Sequence, residues 1–405
     1  MINKKVIIAV SILVVSVIIV IDILSENYNR QLIAREITAK EADRDIDNKP
    51  PVKIGITYSY NKNNPNLDGI NFVNGVKLAV NNINERGGVL NNRKIELVFE
   101  NDNFDMDQAK NIAEKFSRDT DIIAVISSSD SKSSVPVSIT YQYSGVIFIS
   151  TSSTNPLYTR EAFKYIFRNI PDDKHMGKSI SKLVDSLHYT NLIILHSEEE
   201  APKTISDVFT QNWIPLSSKN HIFSTSFHTK DVSFHDVISK ISPIVNKRVE
   251  YDAILLLGER DSVLKMISQL RNAGIYAPVI TGNNLDTHEL LDIGEAANNT
   301  IVPTYFSLDL IQQNTQDFIN LYNKTNGALP AIDAAQGYDA IMLLENAISN
   351  SKSTVPSALS ESLLYMTKHK SITGTYSLNH KGNVVHREIF FKRVVDGKFR
   401  FFDIK

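Results

Sequence analysis

"GINFVNGVKLAVNNINERGGVLNNRKIELVFENDNFDMD", Gly69 to Asp107, decides the fold. Val73, Val76, Val80 and Ile83 recur at helical spacing, so a helix over 72–84 has one apolar face. Gly87-Gly88 stops it, because glycine takes the left-handed C-cap conformation without a Cβ clash. Asn91-Asn92 suits a turn. Ile95, Leu97 and Phe99 then alternate as a strand, and Met106, Ala109, Ile112, Ala113 and Phe116 mark the next helix.

The alternation runs on in both directions. Apolar, β-branched strand patterns lie at 52–59, 121–127, 145–150, 191–197, 221–227, 251–258, 277–283 and 300–306. Helical patterns cover about 175–188, 203–212, 234–246, 260–273, 314–324, 333–349 and 355–367. The last stretch is β-rich, with turns at Lys381-Gly382-Asn383 and Asp396-Gly397. Repeated strand–helix units imply parallel sheets covered on both faces. Roughly 350 residues is too much for one such sheet, so two α/β lobes are expected.

The 405-residue chain has a formal net charge of only −2, which argues against a nucleic-acid surface. It has no cysteine, which excludes disulfides, thiolate zinc sites, a cysteine nucleophile and a lipid-modified cysteine. Lys4 and Lys5 precede an apolar run from Val6 to Leu24, broken only by Asp22. As a helix it rises about 28 Å, close to a bilayer's hydrocarbon core. No small-x-small cleavage pattern follows, so residues 1–25 are expected to be an uncleaved single-pass anchor. The lysines favour a cytoplasmic N-terminus and an exported body. Residues 26–51 read as a polar spacer, with a helical pattern over "RQLIAREITAKEADRD".

Ligands of open parallel α/β sheets bind outside the carboxyl ends of the strands. Two such ends carry hydroxyl-rich loops: "SSSDSKSSVP", Ser127 to Pro136, and "STSSTNP", Ser150 to Pro156. Hydroxyls and free N–H groups at helix N-termini can hold a carboxylate. They equally serve as N-caps, and both readings stay open. "ENDNFDMD" lacks the glycine and closing glutamate of a calcium loop, and "HSEEE" (196–200) has no second histidine nearby. No HExxH, GxSxG, P-loop or dinucleotide glycine signature is present, so neither an enzyme nor a cofactor is expected.

The opening stretch resembles the periplasmic binding proteins of the leucine/isoleucine/valine-binding type, which serve ABC importers. Their pattern is a helix ending in IN-x-x-GG, a strand near "KIEL", and an aspartate followed by a helix. The likeness returns at "SVPVSITYQYSGVIFISTSSTNP", "MISQLRNAGIYAPVITGN", "AAQGYDAIMLLENAI" and "GTYSLNHKGNVV". It implies a two-lobed type I fold with three crossovers near 169–172, 298–303 and 372–378. Lobe one is then 52–170 plus 303–374, and lobe two 171–302 plus 375–405. The lobes close on a ligand by hinge bending.

The resemblance also implies site residues. The carboxylate-holding serine falls at Ser131, and the second-loop pair at Ser153 and Thr154. The glutamate that pairs with a ligand ammonium falls at Asn283. Aromatic positions fall near Asp68, at about Ala201, and near Glu259 or Arg260. Glu259 or Asp286 are the acids placed to replace the missing ammonium partner. Loss of one charge-assisted partner, about 1.5–3 kcal/mol, and of aromatic walls argues against a branched aliphatic ligand. The implied function is a membrane-tethered, extracytoplasmic receptor for a small polar or amino-acid-like molecule, delivered to ABC importer permease subunits. A sensor or protein-binding scaffold without transport is the other reading.

Overall fold

The computed structural model describes residues 4–44, 50–62, 67–90, 92–246 and 251–402, with side chains of 4–12 and 242–246 excepted. Asn91 of the expected turn, 45–49 of the expected spacer and 403–405 of the expected second lobe lie outside the described residues.

Strands β1 (Val52–Tyr58), β2 (Ile95–Asn101), β3 (Ile122–Ser127), β4 (Ile147–Ser150) and β5 (Ile166–Arg168) form a parallel sheet ordered β2-β1-β3-β4-β5. Strands β6 (Asn191–Ser197), β7 (His221–Phe227), β8 (Ala253–Leu257), β9 (Val279–Ile280) and β10 (Thr300–Thr304) repeat the plan as β7-β6-β8-β9-β10. Every residue of β3 and of β8 is buried, as strands covered on both faces require. Helices α1 (Lys4–Arg44), α2 (Asp68–Glu85), α3 (Met106–Arg118), α4 (Ser131–Ser144), α10 (Gln313–Asn326), α11 (Ile332–Ser351) and α12 (Pro356–Leu364) belong to the first lobe. Helices α5 (Asp173–Ser186), α6 (Glu200–Trp213), α7 (His235–Asn246), α8 (Arg260–Asn272) and α9 (His288–Asp292) belong to the second.

A three-stranded sheet of β11 (His369–Ser371), β12 (Gly374–Leu378) and β13 (Val384–Val385) packs Tyr376, Leu378 and Val384 into the first lobe's core. The chain re-enters the second lobe only at β14 (Phe390–Val395) and β15 (Lys398–Phe402), which extend that sheet antiparallel beside β10. The third crossing is therefore at 386–389 rather than 372–378, and the second follows Thr304 rather than ending at 303. Tertiary packing of β12 and β13, not local pattern, moves the former.

The opening stretch now has its physical reason. Gly88 has φ +81°, and a Cβ there would lie 2.0 Å from the Arg93 carbonyl oxygen. That close approach closes the turn through an antiparallel Val89–Arg93 bridge. It also sets the Arg93 guanidinium 2.7 Å from Asp43 of α1.

Residues 26–44 are not a free spacer. They continue α1 as a helix docked on the first lobe. Arg35 is fully buried and donates to the carbonyls of Ile122 at 2.9 Å, Ser117 at 2.8 Å and Asp119 at 2.9 Å, and to that of Ser144. Burial lowers its pKa to about 10, so it stays a cation at neutral pH. Glu36 accepts from the backbone and hydroxyl of Ser357 at 2.9 and 2.8 Å.

The spanning helix expected over Val6–Leu24 is not supported: among the described residues no helix is long and apolar enough to cross a membrane. Side chains are described from Leu13, and Leu13 to Leu24 rises only about 18 Å. Those apolar side chains are exposed, Leu13 at 63% and Leu24 at 49%.

Arg35→Met keeps an apolar stem but orphans several buried carbonyls. It is expected to lower unfolding stability by about 3 kcal/mol or more, and to free α1 for proteolysis. Urea unfolding of the full chain checks this; a loss under about 1 kcal/mol would mean that α1 docking is incidental.

Candidate functional site

A cleft of about 560 Å³ separates the lobes, at the carboxyl ends of the strands. In both sheets the strand order reverses beside the first strand, and crevices form at such switch points. Six helices begin at this cleft: α2, α4, α5, α6, α8 and α11. The first lobe contributes Ser131 and Lys132 from the start of α4, Thr151 to Asn155 except Ser153 from the loop after β4, and Asp68, Asp333 and Gln336 from α2 and α11. The second contributes Asp173, Glu199, Glu200, Glu259, Arg260 and the loop Gly282 to Asp286 except Leu285. Gly75 lets α2 meet α11 backbone to backbone, since a Cβ there would lie 2.0 Å from the Ala334 oxygen.

Of the residues expected from sequence, Ser131, Thr154, Asn283, Glu259 and Asp286 line the cleft. Ser153 is fully buried behind them, its hydroxyl 3.1 Å from that of Ser131. The Ser131 hydroxyl also accepts from the Asn155 N–H at 3.2 Å. Both expected replacement acids are already engaged. Glu259 meets Lys132 at 2.7 Å across the cleft. Asp286 meets Lys392 at 2.9 Å with its side chain 4% exposed. No aromatic residue lines the cleft among the described residues; Asp68, Ala201, Glu259 and Arg260 do.

Sequence reasoning missed Asp173, Asp333 and the Glu199–Glu200 pair. Asp173 opens α5 just past the first crossing and is 3% exposed. Burial, eased by a hydrogen bond from Thr154 and by the charge of Arg168, pushes its carboxyl up to about 7. Its Oδ2 lines a buried position with no hydrogen-bond partner among the described residues. Burial and the charge of Asp68 also push Asp333 well up. Burial raises Glu199 too, but hydrogen bonding to its carboxylate, that from the Thr229 hydroxyl included, outweighs it, and its pKa is lowered. The only available signal was that each opens a helix, where acids are common.

Three polar contacts cross the cleft: Lys132–Glu259, Arg260–Asp68 at 2.7 Å, and Asn155 to Glu200 at 3.0 Å. The lobes are thus in a closed arrangement. Lys132–Glu259 is largely exposed and contributes little. Arg260–Asp68 is more enclosed, and Arg260 also meets Glu289 at 3.0 Å.

The sequence model of the family described as "Periplasmic binding protein" matches residues 51–398. The chain belongs to that family. This periplasmic binding protein is of the type I, Leu/Ile/Val-binding-like kind, a family of non-enzymatic, extracytoplasmic solute-binding proteins. It is 22% identical over 340 residues to the Leu/Ile/Val-binding protein homolog 1 of Brucella abortus, covering 82% of this chain and 88% of that one. Its fold is that of the ABC transporter substrate-binding protein of Desulfitobacterium hafniense in complex with Leu (TM-score 0.77, 24% identity, 87% and 100% covered). A solute-binding protein of R. palustris in complex with benzoate shares the fold too (TM-score 0.73, 16% identity, 87% and 95% covered).

Asp173 carries a pH signature. An ordinary carboxyl of 3.8, raised to about 7 on folding, binds more proton in the native state, so its contribution to stability falls as pH rises between those values. Asp173→Asn is therefore expected to change the melting temperature more favourably at pH 8 than at pH 5. Equal changes at both pH values in a thermal melt would contradict the burial argument.

Proposed function

We propose that this periplasmic binding protein is a membrane-tethered receptor that closes its two lobes around a small polar or amino-acid-like solute and delivers it to an ABC importer. The observation that carries this is the interlobe cleft, of a size ordinary for a small-molecule site and lined by hydroxyls, amides and charges from both lobes. Ser131 and Thr154 are the proposed first-lobe contacts, with Ser153 buttressing Ser131. Asn283, Glu259 and Asp286 are the second-lobe contacts of the same proposal, the two acids acting through the ion pairs they already make.

The tether is supported by the exposed apolar side chains of α1 from Leu13 to Leu24, continuous with the docked half of the same helix. A bilayer would cover them, and burial of apolar surface is what drives such insertion. That docking also favours the sensor reading. With α1 fixed to the first lobe, closure moves the second lobe relative to the membrane, which can be read by a partner as well as by a permease. A pull-down from detergent-solubilised membranes separates the two uses: permease subunits support delivery, and a signalling partner alone supports sensing.

A thermal-shift panel of amino acids, small amides and organic ions tests the binding function. A ligand at a hundred times its Kd stabilises the native state by about 2.7 kcal/mol. The combined S131A/T154V variant is expected to weaken the responding solute at least tenfold while melting within a few degrees of wild type without ligand. An unchanged affinity would remove these two residues from the site.

A further inference from the structure

The cleft is strongly acidic. Eight carboxyl groups line it against two cations, Lys132 and Arg260. Both cations are already paired, with Glu259 and Asp68, and Asp286 is held by Lys392 from behind. Asp130, Asp173, Glu199, Glu200 and Asp333 have no ion-pair partner within 4 Å among the described residues. Most of these acids open helices, whose N-terminal dipoles stabilise negative charge without removing it.

Helix position alone does not explain Asp173. It is nine-tenths buried, it lines the cleft, and its Oδ2 has no hydrogen-bond partner among the described residues. A buried carboxylate oxygen left this way is costly unless something pairs with it. The backbone carbonyl of Thr154, whose hydroxyl the resemblance places on a ligand carboxylate, accepts from the Asp173 N–H at 3.0 Å. The charges around Asp173 are Arg168, Asp172, Glu200 and, through its phenol, Tyr305. Those around Asp333 are Asp68, Arg260 and Asp286. The two carboxyls thus sit in separate acidic neighbourhoods, one at the second lobe's α5 and one at the first lobe's α11. The cleft wall also includes Ile170, Ile205, Leu257 and Ile332, fit for methylene groups.

We infer that the solute is net cationic and carries two positively charged nitrogens on an aliphatic chain, as an organic diamine or a basic amino acid does, with one nitrogen on Asp173 and the other near Asp333. This rests on the solute-binding function and specifies its ligand. A branched neutral side chain finds no aromatic wall here, and an organic anion meets a surplus of like charge.

Titration calorimetry of the full chain with 1,4-diaminobutane, 1,5-diaminopentane, lysine, ornithine, norleucine and glutarate tests it. At least one diamine or basic amino acid is expected to bind at least a hundredfold tighter than norleucine or glutarate. Preference for the diamines over the amino acids would mean that the first-lobe hydroxyls do not hold a carboxylate; the reverse would mean that they do, and either supports the inference. Binding is expected to tighten from pH 6 to pH 8 with release of a proton from Asp173, read by repeating the titration in buffers of different ionisation heat. Asp173→Asn is expected to weaken the cation at least tenfold and to lower the number of protons released, whereas Asp207→Asn, on the exposed side of α6, should do neither. Norleucine or glutarate binding tighter than every cation would overturn the inference and leave solute binding standing. No binding by any member, together with silence across the thermal-shift panel, would overturn both.

Discussion

The Arg387 guanidinium is where the two lobes are joined. It lies in the third crossing and donates to the Asn169 carbonyl of the first. It stacks 5.4 Å from the Tyr305 ring, which follows β10 in the second. On the first-lobe side it donates to Thr373 and lies 5.0 Å from the Tyr376 ring, whose hydroxyl donates to buried Asp339. One planar cation therefore holds three chain segments that are remote in sequence. A lysine could not reproduce this, because the contacts use separate donors and a flat face. Any bending at one crossing is coupled to the others through this shared contact, as the proposed lobe closure requires.

The acids of the cleft follow from how the two sheets are used. Parallel strands feed helices whose first turns all face one edge, so six N-termini converge on one gap. Acids are favoured there locally, helix by helix. Convergence turns that local preference into a collective field, and the field rather than any one residue is what a solute meets. Asp173 and Asp333 both shift toward the neutral form chiefly through burial, with the charge of Asp68 adding to it at Asp333 and that of Arg168 opposing it at Asp173.

Much of this was legible in the chain. The hydroxyl loops after β3 and β4 could be found because the two strands are neighbours in space as well as in sequence, so Ser131 and Thr154 line one cleft. Asp173 and Asp333 could not be, because 160 residues separate two acids that look like ordinary first-turn residues. Arg35 and Arg93 were equally silent. Each is a common charged residue in a polar segment, and only the folded chain shows the carbonyls and the carboxylate that they meet. The ion pairs of the expected replacement acids, Glu259 and Asp286, were silent for a related reason. Their cations, Lys132 and Lys392, lie more than a hundred residues away and pair with them only after the lobes and β14 are in place.

Docking of α1 and charge in the cleft bear on the same motion. The helix is fixed to the first lobe through Arg35, Glu36 and Asp43, so under the proposed tether opening is carried by the second. Closing brings Asp173, Glu199 and Glu200 toward Asp68 and Asp333, and like charges oppose that approach. Arg260–Asp68 and Lys132–Glu259 pull the other way, but one of the two is solvent-screened. Charge therefore enters the balance between open and closed. A solute can shift it only by its differential affinity for the closed state. A bound cation has that differential by construction, since it touches carboxylates of both lobes only when they are together.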